Sequence, residues 1–208
     1  QQHPMGSIYH HSAWISLIAA TFPYHPHCYA LVENETGSWQ GVLPLMAPRG
    51  LSIKGGLVSV PFATYCDPLV PEDMIGECLE QALEKLPGFS FIELRLRSQH
   101  SSFSDNYGKG CSYINHTVDL SAGLDAVYDK FHDSCIKRKI RKAQKSALSF
   151  HVSNSEDDIK KIYDLLLLMR KTKGLPPHPY RLFVKLWETL EPLGMFYAPY
   201  VVYEDKVI

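Results

Sequence analysis

Near residue 147 the hydrophobic pattern of this chain starts over, and that restart limits the folds open to it. Up to that point the apolar runs read helix, strand, strand, strand, helix, strand, and close in a long helical stretch. Beyond it they read strand, helix, helix, strand, strand. Two runs of one α/β plan in 208 residues predict a first domain over 1–147 and the opening part of a second over 148–208.

The first run begins with Trp14, Leu17, Ile18 and Phe22 at helical spacing. His27 to Val32 and Trp39 to Met46 flank a turn of Asn34-Glu-Thr-Gly37-Ser, which predicts a hairpin. Leu57 to Phe62 reads as a further strand. Glu72 to Leu86 reads as an amphipathic helix with Ile75, Leu79, Ala82 and Leu83 on one stripe. Phe89 to Arg97 alternates strictly: Ile92, Leu94 and Leu96 face one way, Glu93, Arg95 and Arg97 the other. Ser112 to Leu120 is expected to be a strand, and Leu124 to Ala147 helical.

In the second run Leu148 to Val152 predicts a short strand, and Ser155-x-x-Asp158 has the form of a capping box opening a helix to about Lys171. Gly174 and Pro176-Pro177-His178-Pro179 break that helix. Tyr180 to Leu190 forms the next one, Met195 to Tyr203 a strand, and Glu204-Asp205 a turn into Lys206-Val207-Ile208.

Six of the nine residues from Lys137 to Lys145 are basic, in a chain whose formal net charge is −1. Charge this local argues against general coating of nucleic acid and for one anionic contact. On a helix from Ile136, the residues Arg138, Arg141, Lys142 and Lys145 share one face, opposite Ile136, Ile140, Ala143 and Ala147. Like charges at these spacings repel by a few tenths of a kcal/mol per pair, which an anion would relieve. A solvated helix face, favoured by the helix dipole, accounts for the same pattern.

No apolar run approaches the ~18 residues of a membrane span. The five cysteines are odd in number and scattered, without a C-x-x-C pair, which suits reduced thiols in a cytoplasmic protein. His10-His11 and His25-Pro-His27-Cys28 lack the converging partners a zinc site needs, so no metal is expected. The chain starts at Gln1-Gln2-His3 and ends within a strand pair, and it reads as a piece of a longer protein.

Four segments carry a family resemblance: Gly41-Val-Leu-Pro-Leu45, Leu57-Val-Ser-Val-Pro-Phe62, Lys137-Arg-Lys-Ile-Arg-Lys-Ala143 with Leu148-Ser-Phe, and Arg170-Lys-Thr-Lys-Gly-Leu-Pro-Pro with Tyr180-Arg-Leu-Phe183. In this order they resemble the Fem-type aminoacyltransferases and their FemAB-like relatives, within the N-acetyltransferase (GNAT) superfamily. The resemblance implies an α/β (α+β) fold of tandem GNAT-like domains, each a mixed, mostly antiparallel sheet flanked by helices, with the second copy incomplete. It implies acyl or aminoacyl transfer to an amine of a cell-wall or exopolysaccharide precursor, from an acyl-CoA or an aminoacyl-tRNA. The substrate would lie between the domains.

By that analogy Arg138 and Lys142 hold the phosphate or diphosphate of a sugar-linked, peptidoglycan-type acceptor, with Arg141 and Lys145 beside them. A tRNA backbone is another anion for the same face. Asp67 would contact the acceptor amine, and Tyr180 and His178 would line its site. The connection Ala63 to Pro71 contains no glycine and two prolines, Pro68 and Pro71. It therefore departs from the glycine-rich loop that cradles CoA phosphates. The chain alone is expected to bind no cofactor and not to turn over. The alternative is a non-catalytic GNAT-like module that binds an anionic ligand or nucleic acid.

Overall fold

The computed structural model describes residues 3–49, 55–97 and 107–208. Gln1 and Gln2 of the methionine-less start lie outside them. The chain divides into two compact units, 1–112 and 113–208. The basic helix therefore goes with the second unit, whereas the sequence pattern placed the boundary after residue 147.

The first unit opens with α1 (Ser12–Thr21), whose N-terminus is capped by the His11 ring accepting from the Ala13 amide at 3.1 Å. Strands β1 (Tyr24–Val32) and β2 (Trp39–Pro48) pair antiparallel from Tyr24↔Pro48 to Val32↔Trp39. The hairpin is the predicted one, lengthened at both outer ends. Strand β3 (Leu57–Val58) joins β2 antiparallel, and β4 (Ile92–Glu93) joins β3 in parallel. Helix α2 (Ile75–Lys85) lays Ile75, Leu79 and Ala82 against Leu43, Leu45, Ala47 and Leu57, all buried. This apolar stripe on an apolar sheet face is what the period of the sequence demanded. Gly41 is fixed by a close crossing: a Cβ there would lie 2.4 Å from the Leu69 carbonyl oxygen, because Val42 and Leu69 exchange two backbone bonds of 2.9 Å.

Two predicted strands are shorter than their patterns. The run Leu57–Phe62 ends as a strand at Val58, and Phe62 turns into the left-handed region (φ 61°) with its ring stacked on Phe22 at 4.3 Å. The run Phe89–Arg97 counts as a strand only at Ile92–Glu93, yet its alternation persists: 92, 94 and 96 are half-buried, 93, 95 and 97 exposed. Side chains supply the later rungs. Ser59 Oγ accepts the Arg95 amide at 2.9 Å, and Asp67 Oδ1 accepts the Arg97 amide at 3.0 Å. Between them the Cys66 amide donates to the Arg95 carbonyl at 2.7 Å.

In the second unit, β5 (Leu148–Val152), β6 (Pro199–Tyr203) and β7 (Lys206–Val207) form an antiparallel sheet in that order. Glu204 and Asp205 both take positive φ (48° and 61°), the turn geometry that matches strand twist in a two-residue hairpin. Ser155 caps α5 (Glu156–Thr172) as its motif predicted, its hydroxyl accepting the Asp158 amide at 3.3 Å. Helix α6 (Tyr180–Leu190) begins after the proline run, and the Tyr163 ring of α5 sits 5.1 Å from Tyr180 and 5.3 Å from Phe183. The predicted strand Ser112–Leu120 pairs with nothing among the described residues, and Tyr113, Ile114, Val118 and Leu120 stand exposed. Alternation alone does not make a strand without a neighbour to bond.

Among the described residues, all strand pairings are antiparallel except β3–β4. Among the described residues no helix is long and apolar enough to cross a membrane.

Candidate functional site: a cationic helix face

The predicted helical stretch 124–147 is three pieces. Helix α3 (Leu124–Asp129) is followed by a π-helical turn, Asp133–Lys137, and by α4 (Arg138–Gln144). The turn is a wider coil than the α-helix, and coils of this kind recur at functional positions. Its register withdraws Lys137 from the basic run. Lys137 Nζ donates to the Asp129 carbonyl at 3.1 Å, pairs with Asp133 at 3.5 Å and lies 5.5 Å from the centre of the Tyr128 ring. Its side chain is only 16% exposed.

The other cations of the face behave differently. Arg138, Arg141, Lys142 and Lys145 together surround an open hollow of about 340 Å³. All four are exposed, and among the described residues none makes a side-chain hydrogen bond or an ion pair. Four cations over two helical turns, with no carboxylate to offset them, make a surface that attracts a multiply charged anion. The structure thus brings together four of the seven site residues singled out in the sequence.

The remaining three, Tyr180, Asp67 and His178, do not line that hollow. Tyr180 heads α6, and its hydroxyl donates to Glu156 at 3.4 Å on α5. Burial, and then the Glu156 carboxylate, hold its phenol above the ordinary range. Asp67 belongs to the first unit and is 1% exposed. Besides the Arg97 amide held by its carboxylate, its own carbonyl accepts from His10 Nε2 at 2.8 Å. His178 is gripped at both ends: its carbonyl accepts from the Tyr163 hydroxyl at 2.8 Å and its Nε2 accepts from Arg170 at 2.9 Å.

Cysteine and histidine chemistry in the first unit is muted. Burial pushes the Cys66 thiol up to about 12, far from a thiolate at neutral pH. The His25 and His27 rings lie 5.0 Å apart with Arg49 donating to His25 at 3.2 Å, and among the described residues no three His, Cys, Asp or Glu side chains converge on a metal position. At the α2 end of the 63–71 connection, Glu72 and Asp73 fill a first helical turn that follows Pro71. Acids at that end oppose a phosphate.

Sequence reasoning missed one cluster of the second unit. Asp158, 7% exposed, receives the Lys161 ammonium at 2.7 Å, the Tyr200 hydroxyl at 2.8 Å and the Asn154 amide at 3.3 Å. The capping motif pointed to Asp158, but its partner Tyr200 lies 42 residues away, so nothing local could announce the pair.

No protein-family model matches the chain, and no curated protein matches it. Among solved structures, FemX superposes on 96% of the chain with a TM-score of 0.70 at 15% identity. The fold is FemX-like. The chain spans 54%, about half, of the FemX chain. A mixed α/β architecture with a mostly antiparallel sheet flanked by helices, expected from the element order, is therefore confirmed by a FemX-like structure.

Proposed function

We propose that this chain is part of a transferase that moves an acyl or aminoacyl group onto an amine of a cell-wall or exopolysaccharide precursor. The FemX-like fold supports the class, together with the four sequence segments that resemble Fem-type aminoacyltransferases. The observation that carries the reading is the uncompensated face of α4. Arg138 and Lys142 bind the phosphate or diphosphate of the precursor, and Arg141 and Lys145 add charge at its edges; Tyr180, in the same unit, lines the acceptor. A nucleotide-linked precursor of this kind is a cytoplasmic molecule.

The reaction is an aminolysis. The acceptor amine attacks the activated carbonyl, a C–N bond forms, and the tetrahedral centre collapses with loss of the CoA thiolate or the tRNA ribose oxygen. The proton lost by the amine goes to the leaving group or to solvent. Binding the precursor through its phosphates fixes the amine in place, and positioning of this kind supplies a large part of the rate. The glycine-free connection 63–71 and the acids that follow it support a donor held outside the first unit.

A second reading is a non-catalytic module that retains the anion-binding face, and the same acids favour it. Calorimetric titration with UDP, a UDP-N-acetyl sugar and tRNA separates the possibilities. Saturable binding of the UDP-sugar, weakened by Arg138→Glu with Lys142→Glu, supports the transferase reading. Binding of tRNA alone, with a steep salt dependence, assigns the face to a nucleic-acid backbone. Unchanged UDP-sugar affinity in the double variant removes α4 from the site.

A further inference from the structure

The alternating segment 92–97 presents two guanidinium groups on one exposed face, and among the described residues only that of Arg95 is paired with a carboxylate. Arg95 Nε pairs with Glu93 at 3.4 Å, and its Nη1 donates to the Ala63 carbonyl at 3.4 Å. The Arg97 guanidinium meets no carboxylate side chain among the described residues. Its Nη2 donates to the Met5 thioether at 2.7 Å, a weak acceptor, and the group lies 5.5 Å from the centre of the Tyr65 ring.

Arg97 is also unusually well held for a surface arginine. Its amide is anchored on the buried carboxylate of Asp67. The Tyr65 ring beneath it is braced edge-on by Tyr9 at 5.8 Å, and Tyr9 by Trp14 at 5.1 Å. The Tyr9 hydroxyl reaches Thr64 Oγ1 at 3.3 Å, which puts two hydroxyls beside the same shelf. A guanidinium held against an aromatic ring can present its in-plane N–H groups to a planar or tetrahedral oxyanion, here in exchange for the weak Met5 contact.

We propose that Arg97, seated on Tyr65, is an oxyanion-binding site of the first unit for a carboxylate- or phosphate-bearing ligand. Arg97 supplies the fork of donors, and Tyr9 and Thr64 supply hydroxyls at its margin. The site is independent of α4 and of the function proposed for it.

The test is a pair of NMR titrations of the protein, with inorganic phosphate and with acetate, following the backbone amides of residues 65 and 97. A saturable shift with either anion is expected, and the anion that saturates identifies the phosphate or the carboxylate class. Arg97→Gln should abolish it. Arg97→Lys keeps the charge but loses the fork, and should bind about tenfold more weakly. Tyr65→Leu removes the shelf with Arg97 in place and should weaken binding as well. Arg138→Glu with Lys142→Glu should leave the titration as it was, so failure here and failure at α4 read out separately. Absence of saturation with both anions, wild-type binding by Arg97→Lys, or loss of the shift in the α4 double variant overturns the proposal.

Discussion

The Tyr200 hydroxyl donates to Asp158 Oδ1 at 2.8 Å, and Lys161 donates to the same oxygen at 2.7 Å. One nearly buried carboxylate thereby ties the first turn of α5 to strand β6 of the second unit. Removing the carboxylate leaves an ammonium, a phenol and the Asn154 amide without their acceptor. Asp158→Ala is expected to cost about 2–3 kcal/mol and Tyr200→Phe about 1 kcal/mol. Urea unfolding of both variants, read as midpoint shifts at constant slope, checks the order.

The same carboxylate gives stability a definite pH dependence. The Lys161 ammonium, and then the Tyr200 hydroxyl, hold the Asp158 carboxyl well below the usual carboxylate range. A depressed folded value means that the contribution is complete above the unfolded pKa, about 3.9, and is lost as pH falls through the folded value. Asp158 raises the Lys161 pKa, so that contribution is complete below the ordinary lysine value and is lost as pH rises through the folded one. Unfolding free energies measured from pH 5 down to 2 should fall more steeply for the wild type than for Asp158→Asn. Parallel curves would show that other carboxylates set the acid limb.

Cys66 should be inert. With its thiol pushed by burial to about 12, Cys66 is expected to be spared by iodoacetamide at pH 8 in the native protein, while the exposed Cys111 and Cys135 are labelled first and the exposed Cys28, whose thiol burial also raises, more slowly. Labelling in urea should then include Cys66, and intact-mass spectrometry counts the difference. Cys66→Ala should not change any transfer activity.

The π-helical turn sets the direction in which the α4 cations point. Deleting Ser134 converts that turn toward a regular α-helix and rotates α4 by about 100° relative to the start of the turn at Asp133. Pyrophosphate affinity should drop about tenfold, the scale of a lost charge-assisted contact, with the circular dichroism spectrum unchanged. Equal affinity would mean that the face works in either orientation.

Gly41→Ala places a methyl group against the Leu69 carbonyl and the Val70 side chain. Overpacking at such a crossing is expected to cost about 1–3 kcal/mol, seen as a lower thermal midpoint.

Periodicity located the helices α1, α2, α5 and α6, the hairpin β1–β2 and the hairpin β6–β7 within a few residues, because each closes its hydrogen bonds locally or with a sequence neighbour. It overstated the runs 57–62, 89–97 and 112–120. Those patterns are of the strand kind, but a strand exists only where a partner supplies the rungs. For Arg95 and Arg97 the partners are the Ser59 and Asp67 side chains; for 112–120 there are none among the described residues.

The basic run from Lys137 to Lys145 was written in the sequence, and so was its division into a charged and an apolar face, since both follow from helical spacing alone. Which cations stay available was decided by tertiary structure. Lys137 is drawn away by Asp129, Asp133 and Tyr128 through the π-helical turn, while Arg138, Arg141, Lys142 and Lys145 are left facing solvent together. The same division holds for Asp158 with Tyr200 and for Arg97 with Tyr65. Local spacing fixes what each residue can do, but charge compensation and ring stacking depend on distance in space, and the fold sets that distance.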